Sequence, residues 1–176
     1  MGHIDAIYKA GDDALANQFN IIFSAFSLLS IDADLKLRTT NVSIPEFSVG
    51  TYEVDYKTQK MEKPNGKNTT PNEWSFTFRA DKYWVLYQAL MAWKQFIAND
   101  DTGAMAEDVG AIGGDSGIRT DVIVIPTDSN DVPTSPGWTM EKSFLKSIAG
   151  IEFDTASGEP LTVAVTLSAL KIVPNA

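Results

Sequence analysis

The chain contains no cysteine and a single histidine, His3, so several kinds of chemistry are closed at the outset. Without thiols there is no disulfide, no thiolate zinc site and no cysteine nucleophile. Cations are also scarce: 14 Lys and Arg face 23 Asp and Glu, a formal net charge of −9. Gripping nucleic acid needs clustered cations against phosphates, so this balance argues against it, although it suits a wall past which nucleic acid must slide. Long apolar runs are missing as well. The most apolar early run, residues 19–31, is led in by Asn17, Gln18 and Asn20 and falls short of the ~20 residues that span a bilayer. Only Lys9 is cationic before residue 36, where a secretory signal would carry a basic start. The expectation is a protein made and folded in a cytoplasm, without membrane contact.

What is present is globular and rich in strand signals. A chain of 176 residues suits one domain with a real core, and 44% hydrophobic residues with 4 Trp, 5 Tyr and 9 Phe exclude disorder. Residues 4–16 read as a short helix restarted after Gly11 by Asp12-Asp13. Residues 19–26 read as a strand apolar on both faces, either doubly buried or covered by a partner. Ala33, Leu35 and Leu37 alternate with charged residues as a half-exposed strand.

A second block of pattern runs from 51 to 97. Residues 51–61 read as a strand, 62–71 as a polar hairpin tip turning at Pro64-Asn65-Gly66, and 73–79 as a returning strand in which Trp74, Phe76 and Phe78 alternate with Ser75, Thr77 and Arg79. Asp81 is placed to cap a helix over about 82–97. Along it Tyr83, Leu86, Leu90, Trp93 and Ile97 form one apolar stripe, widened by Trp84, Tyr87 and Met91. That width predicts packing on a sheet and against a neighbour.

Residues 98–117 and 128–139 read as long loops, which in a small domain have a job or become ordered in an assembly. Strands are expected over 118–125 and 140–153, and a long closing strand over 161–173. In that last strand Leu161, Val163, Val165, Leu167 and Ala169 share one face, with Thr162, Thr166 and Ser168 on the other. The pattern predicts one mainly β domain over 1–176, with one prominent helix.

Catalytic readings fail on their own requirements. Gly113-Gly114-Asp115-Ser116-Gly117 contains the string found around a serine protease nucleophile, but the only candidate base is His3, beside the first residue. The same glycines miss the dinucleotide-binding spacing and precede a strand instead of following one. The pairs Asp12-Asp13 and Asp100-Asp101 lack the alternation of a calcium loop, and no two carboxylates stand out as a glycosidase pair. No catalytic residue, metal or cofactor is implied. Lys57, Lys60, Lys63 and Lys67 cluster around the expected hairpin tip. They read either as a solvated edge that discourages aggregation or as an electrostatic complement to an acidic patch on an identical neighbour.

Taken in order, these elements resemble the tail tube proteins of contractile-tailed bacteriophages, the T-even phage tail tube family. The resemblance runs through Gly11-Asp12, the apolar strand from Phe19 to Phe26, Ile44-Pro45, and the polar loop with Asn65-Gly66. It continues through the strand around Trp74, the helix bearing Trp93, and the closing strands over 145–153 and 161–170. Residues 98–117 and 128–139 look longer than the family pattern requires.

The resemblance implies a mainly β (α+β) fold: two packed antiparallel sheets forming a sandwich or partial barrel, flanked by one α-helix. It implies a structural, non-enzymatic virion protein of the phage tail, assembled in the host cytoplasm. Hexameric rings of this chain would stack into a tube that meets sheath and baseplate proteins and conducts DNA without sequence-specific binding. Lys57, Lys60, Lys63, Asn65, Gly66 and Lys67 become candidate inter-subunit contacts, and Thr162, Thr166 and Ser168 candidate lumen-facing residues. The tube of a type VI secretion system or phage-tail-like particle, and a tube-initiator protein of the baseplate, share this pattern. A hydrolase or carbohydrate-binding β domain is the reading from another class.

Overall fold

The structure, a computed structural model, describes residues 18–24, 37–57, 59–68, 71–103, 118–128, 130–153 and 158–175. The expected helix at 4–16, the strand positions 33–36 and the glycine-rich string 113–117 lie outside them. Among the described residues, nine strands and one full helix follow in chain order: β1 (Phe19–Ser24), β2 (Thr39–Ser43), β3 (Val49–Tyr56), β4 (Gln59–Asn68), β5 (Glu73–Arg79), α1 (Val85–Ile97), β6 (Thr120–Pro126), β7 (Trp138–Ile148), β8 (Thr162–Ser168) and β9 (Lys171–Pro174). Seven strands form one large antiparallel sheet in the order β1-β6-β7-β8-β5-β2, with β9 added to β7, while β3 and β4 pair only with each other.

The long strand β7 makes two layers out of one sheet. Its first part pairs with β6 on one side and β9 on the other. Its second part, from Phe144, pairs with β8. Between them Lys142 takes φ 51, and the register slips where Thr120 and Val122 meet Ser143 and Met140. Such a bulge bends a strand and lets it pass from one layer to the other. The corner is tied: Asp121 Oδ1 accepts from the Lys142 amide at 2.7 Å, and Arg119 donates to the Lys142 carbonyl at 3.2 Å. Inside it, the buried Ser143 hydroxyl donates to the Met140 carbonyl and accepts from Trp74 Nε1 at 3.2 Å, joining the two layers.

Strict alternation supplies the core. On β5, Trp74, Phe76 and Phe78 are buried; on β8, Val163, Val165 and Leu167; on β6, Val122 and Val124. Phe23 of β1 meets Phe76 across the layers with ring centroids 6.1 Å apart, and Trp93 of α1 at 6.3 Å. The helix covers this core with Leu86, Leu90 and Trp93, each worth about 1.5–3 kcal/mol of apolar burial. The Trp93 indole N–H reaches the Ile118 carbonyl at 3.0 Å, as a buried indole requires.

Several boundaries differ from those read in the sequence: β7 spans Trp138–Ile148 and not 140–153, and Leu37 is helical where a strand was expected. The helix begins at Val85, because residues 81–84 form a turn around Asp81, whose carboxylate accepts from the amides of Tyr83 (3.1 Å) and Val85 (3.0 Å). Asp81 thus caps the helix from one turn further back than expected. The closing strand is two strands: it is interrupted at Ala169 and Leu170, where β5 no longer accompanies it, and β9 resumes alongside β7 in the register that β8 holds with it. A further difference is the hairpin, where the polar tip expected at 62–71 lies mostly within β4. Tyr56 faces Gln59, so the strands turn back between them, with Lys57 at φ 51.

Candidate functional site

Two surfaces outside the core carry the residues singled out above. The first is the hairpin β3–β4, none of whose residues belongs to the core cluster. Its register, Tyr52 with Lys63 and Val54 with Met61, sorts the side chains by the two-residue period of a strand. Tyr52, Val54, Tyr56, Met61 and Lys63 share one face, with the Lys63 ammonium 5.8 Å from the Tyr56 ring centroid. Thr51, Glu53, Asp55, Lys60 and Glu62 share the other, where Lys60 pairs with Glu53 at 3.1 Å and Thr51 donates to Glu62.

Asn65 and Gly66, expected at the tip, instead form a bulge near the base. Between the pairs Val49–Asn68 and Thr51–Pro64, β4 spends two more residues than β3. Gly66 takes φ +73, the Asn65 carboxamide oxygen accepts from the Lys67 amide at 2.9 Å, and the same carboxamide lies where a Cβ on Gly50 would stand, at 2.7 Å. The Asn-Gly pair thus supplies its positive φ and local hydrogen bond to a bulge. Lys57 sits at the turn, Lys60 on the charged face, Lys63 on the aromatic face and Lys67 at the bulge. The four lysines share one projecting element but not one face.

The second surface is the outer face of the β7–β8–β5–β2 part of the large sheet. Thr162 is exposed, and Thr166 and Ser168 are half-buried, on the side of β8 opposite Val163, Val165 and Leu167. Pairing places Arg79 beside Thr162, Ser75 beside Thr166 and Glu73 beside Ser168. Asn41 and Ser43 of β2 extend the row past Thr77 and Ser75. Lys146 of β7 forms an ion pair with Glu73. The result is a wide face of hydroxyls and small polar groups, interrupted by Phe144 beside Ser168, whose charges are Glu73, Lys146, Arg79 and the Arg119 guanidinium laid over Phe144 at 4.8 Å. The carboxylate excess of the chain is therefore not on these four strand segments. Sequence reading found the β8 residues and passed over Asn41, Ser43, Ser75 and Thr77, although their alternation with Val42, Phe76 and Phe78 carried the same signal.

Among the described residues there is no group of three His, Cys, Asp or Glu side chains able to hold a metal, and no helix is long and apolar enough to cross a membrane. Among the described residues, a hydrogen bond from Lys94 holds the Asp100 carboxyl below its ordinary value at an exposed turn. That pair closes the end of α1.

A two-layer antiparallel fold, a flanking helix, a projecting hairpin and a broad polar sheet face define a class of assembly protein. The chain belongs to the phage tail tube protein family, whose model matches residues 14–169. This is a structural family, not an enzyme family, and membership implies a virion component. No curated protein matches the chain by sequence.

Solved structures share its fold. An extracellular contractile injection system, the PVC sheath–tube complex in its extended state, superposes with TM-score 0.59 at 16% identity, covering 97% of both chains. The tube-terminating cap of the anti-feeding prophage gives 0.57 at 16% identity, over 94% of this chain and 96% of the other. A chain of the anti-feeding prophage baseplate gives 0.58 at 9% identity, over 93% and 95%.

Proposed function

We propose that this chain is the tube subunit of a contractile phage tail, in which six copies close a ring, rings stack, and the hydroxyl face of β7–β8–β5–β2 lines the lumen through which DNA leaves. The observation that carries the reading is a sheet with a polar outer face and two open ends. No described strand pairs with β2 on the side away from β5, nor with the second part of β7 on the side away from β8. Exposed edges of this kind invite pairing with another chain. Joining β2 of one copy to β7 of the next satisfies both edges and continues the polar face around a ring, a head-to-tail contact that closes under rotation.

The lumen chemistry differs from repulsion by a negative wall. This face offers a hydrogen-bonding surface of low net charge, where Glu73, paired to Lys146, is the one carboxylate against Lys146, Arg79 and the Arg119 laid over Phe144. DNA finds no cluster of cations to bind there. The same low net charge suits a polypeptide cargo, which supports a second reading as the tube of a secretion system or phage-tail-like particle. The sheath and baseplate are the expected outer and basal partners, and assembly is expected in the host cytoplasm.

Electron microscopy of the purified protein over a concentration series, alongside purified virions, tests this. Hollow tubes or six-fold rings are the expected result. A protein that stays monomeric throughout and is missing from the tails of the virions overturns the reading.

A further inference from the structure

The hairpin's aromatic face needs a seat, and the described surface offers one. At the start of α1, Trp84 takes φ 59, a left-handed conformation that is an outlier for a bulky side chain and persists only where surrounding contacts impose it. Here Asp81 imposes it, through its carboxylate and through its carbonyl, which accepts from the Trp84 amide at 3.1 Å. The turn lays Trp84 edge-on to Tyr87 at 5.4 Å and against Phe153 at 6.1 Å. It also leaves Tyr83 72% and Phe153 78% exposed, with Val85 open beside them. The turn caps α1, yet Tyr83 and Phe153 lie outside the core cluster and leave their rings to solvent.

The geometry points to this cluster as the seat for the β3–β4 hairpin of an adjacent copy. Two observations select a second copy as the occupant. The hairpin exposes Tyr52, Tyr56, Met61 and Val49 on a two-stranded unit, which is marginally stable in water without a covering partner. Its charge also opposes that of the body: residues 49–68 hold four lysines against three carboxylates, while the rest of the chain holds ten cations against twenty carboxylates. Glu152, exposed next to Phe153, offers Lys63 and Lys57 a countercharge, while Lys82, whose ammonium lies 5.8 Å from the Tyr83 ring centroid, is a cation at the same seat, opposite in sign to the hairpin's Glu53, Asp55 and Glu62. Hairpin and seat are different surfaces of one chain, so the contact is head-to-tail and propagates from copy to copy.

The inference rests on the tube reading, and the absence of native cysteine allows a test that separates the two. Tyr56→Cys with Phe153→Cys, assembled and oxidised, is expected to give a reductant-sensitive ladder with loss of the monomer band, while Tyr56→Cys with Val132→Cys gives none. Lys63→Cys with Glu152→Cys probes the same contact with every ring left in place. Tubes that form without a ladder from either pair overturn the seat and leave the tube reading standing. Failure of the unsubstituted protein to form tubes or enter virions overturns both.

Discussion

The large sheet and the β3–β4 hairpin use the same strand chemistry to opposite ends. On β5 and β8 the apolar half of each alternation is buried, so Phe76, Phe78, Val163, Val165 and Leu167 exclude water almost completely. On β3 the alternation Tyr52, Val54, Tyr56 is just as regular, yet both tyrosines remain at least half exposed. Periodicity therefore says that a strand has two faces, but not whether the folded chain itself covers the apolar one. Where it does, the residues are a core; where it does not, the fold is complete without them.

Changes on the two sides of this comparison should separate stability from assembly. The largest expected effect is all-or-none: replacing residues 54–61 by Asn-Gly, which closes the hairpin at Glu53–Glu62, should leave a folded monomer with unchanged thermal unfolding that makes no tubes. Normal tubes from that variant would return the hairpin to the status of a solvated edge. Next, Phe76→Ala should cost about 3–5 kcal/mol in urea unfolding, because the side chain is buried between β1 and its neighbours on β5. A cost below about 1 kcal/mol would mean that the two layers are not packed as described. The smallest effect is the finest comparison.

Gly137 and Gly66 both have positive φ, but a Cβ on Gly137 would stand 2.2 Å from the Val124 carbonyl oxygen, whereas one on Gly66 meets nothing within 4 Å. Gly137→Ala should therefore lower global stability by more than about 1 kcal/mol. Gly66→Ala strains only the hairpin bulge and should leave global unfolding within about 0.5 kcal/mol. Equal losses at both positions would show the hairpin to be part of the cooperative core.

Much of the body was legible because local and global signals agree there. The alternation of 73–79 and 161–169 and the helical stripe from Leu86 to Trp93 each report a face that one layer must bury. The hairpin was misplaced because Asn65-Gly66 fits a turn and a bulge equally well by backbone preference. What decides between them is cross-strand pairing of Tyr52 with Lys63 and Val54 with Met61, a property of two segments together. The break between β8 and β9 was hidden for a related reason, since Leu170 and Val173 continue an extended pattern while β5 drops away and β7 stays as partner. Of the candidate residues, Thr162, Thr166 and Ser168 share a sheet face, as their spacing implied. Their neighbours on β2 and β5 required the register. The aromatic cluster at the start of α1 was partly visible in the width of the helical stripe, but the turn that exposes Tyr83 depends on Asp81, and the cluster includes Phe153, which is distant in the chain.

The corner in β7 has a mechanical consequence. Both layers hang on one continuous strand, so a load applied to the outer strands passes to the polar-faced half through covalent backbone as well as through packed side chains. Neither half can slide away from the other without stripping hydrogen bonds from β6, β8 and β9 together. A subunit built in this way yields as a single body, which is the property a pushed column asks of each of its stones.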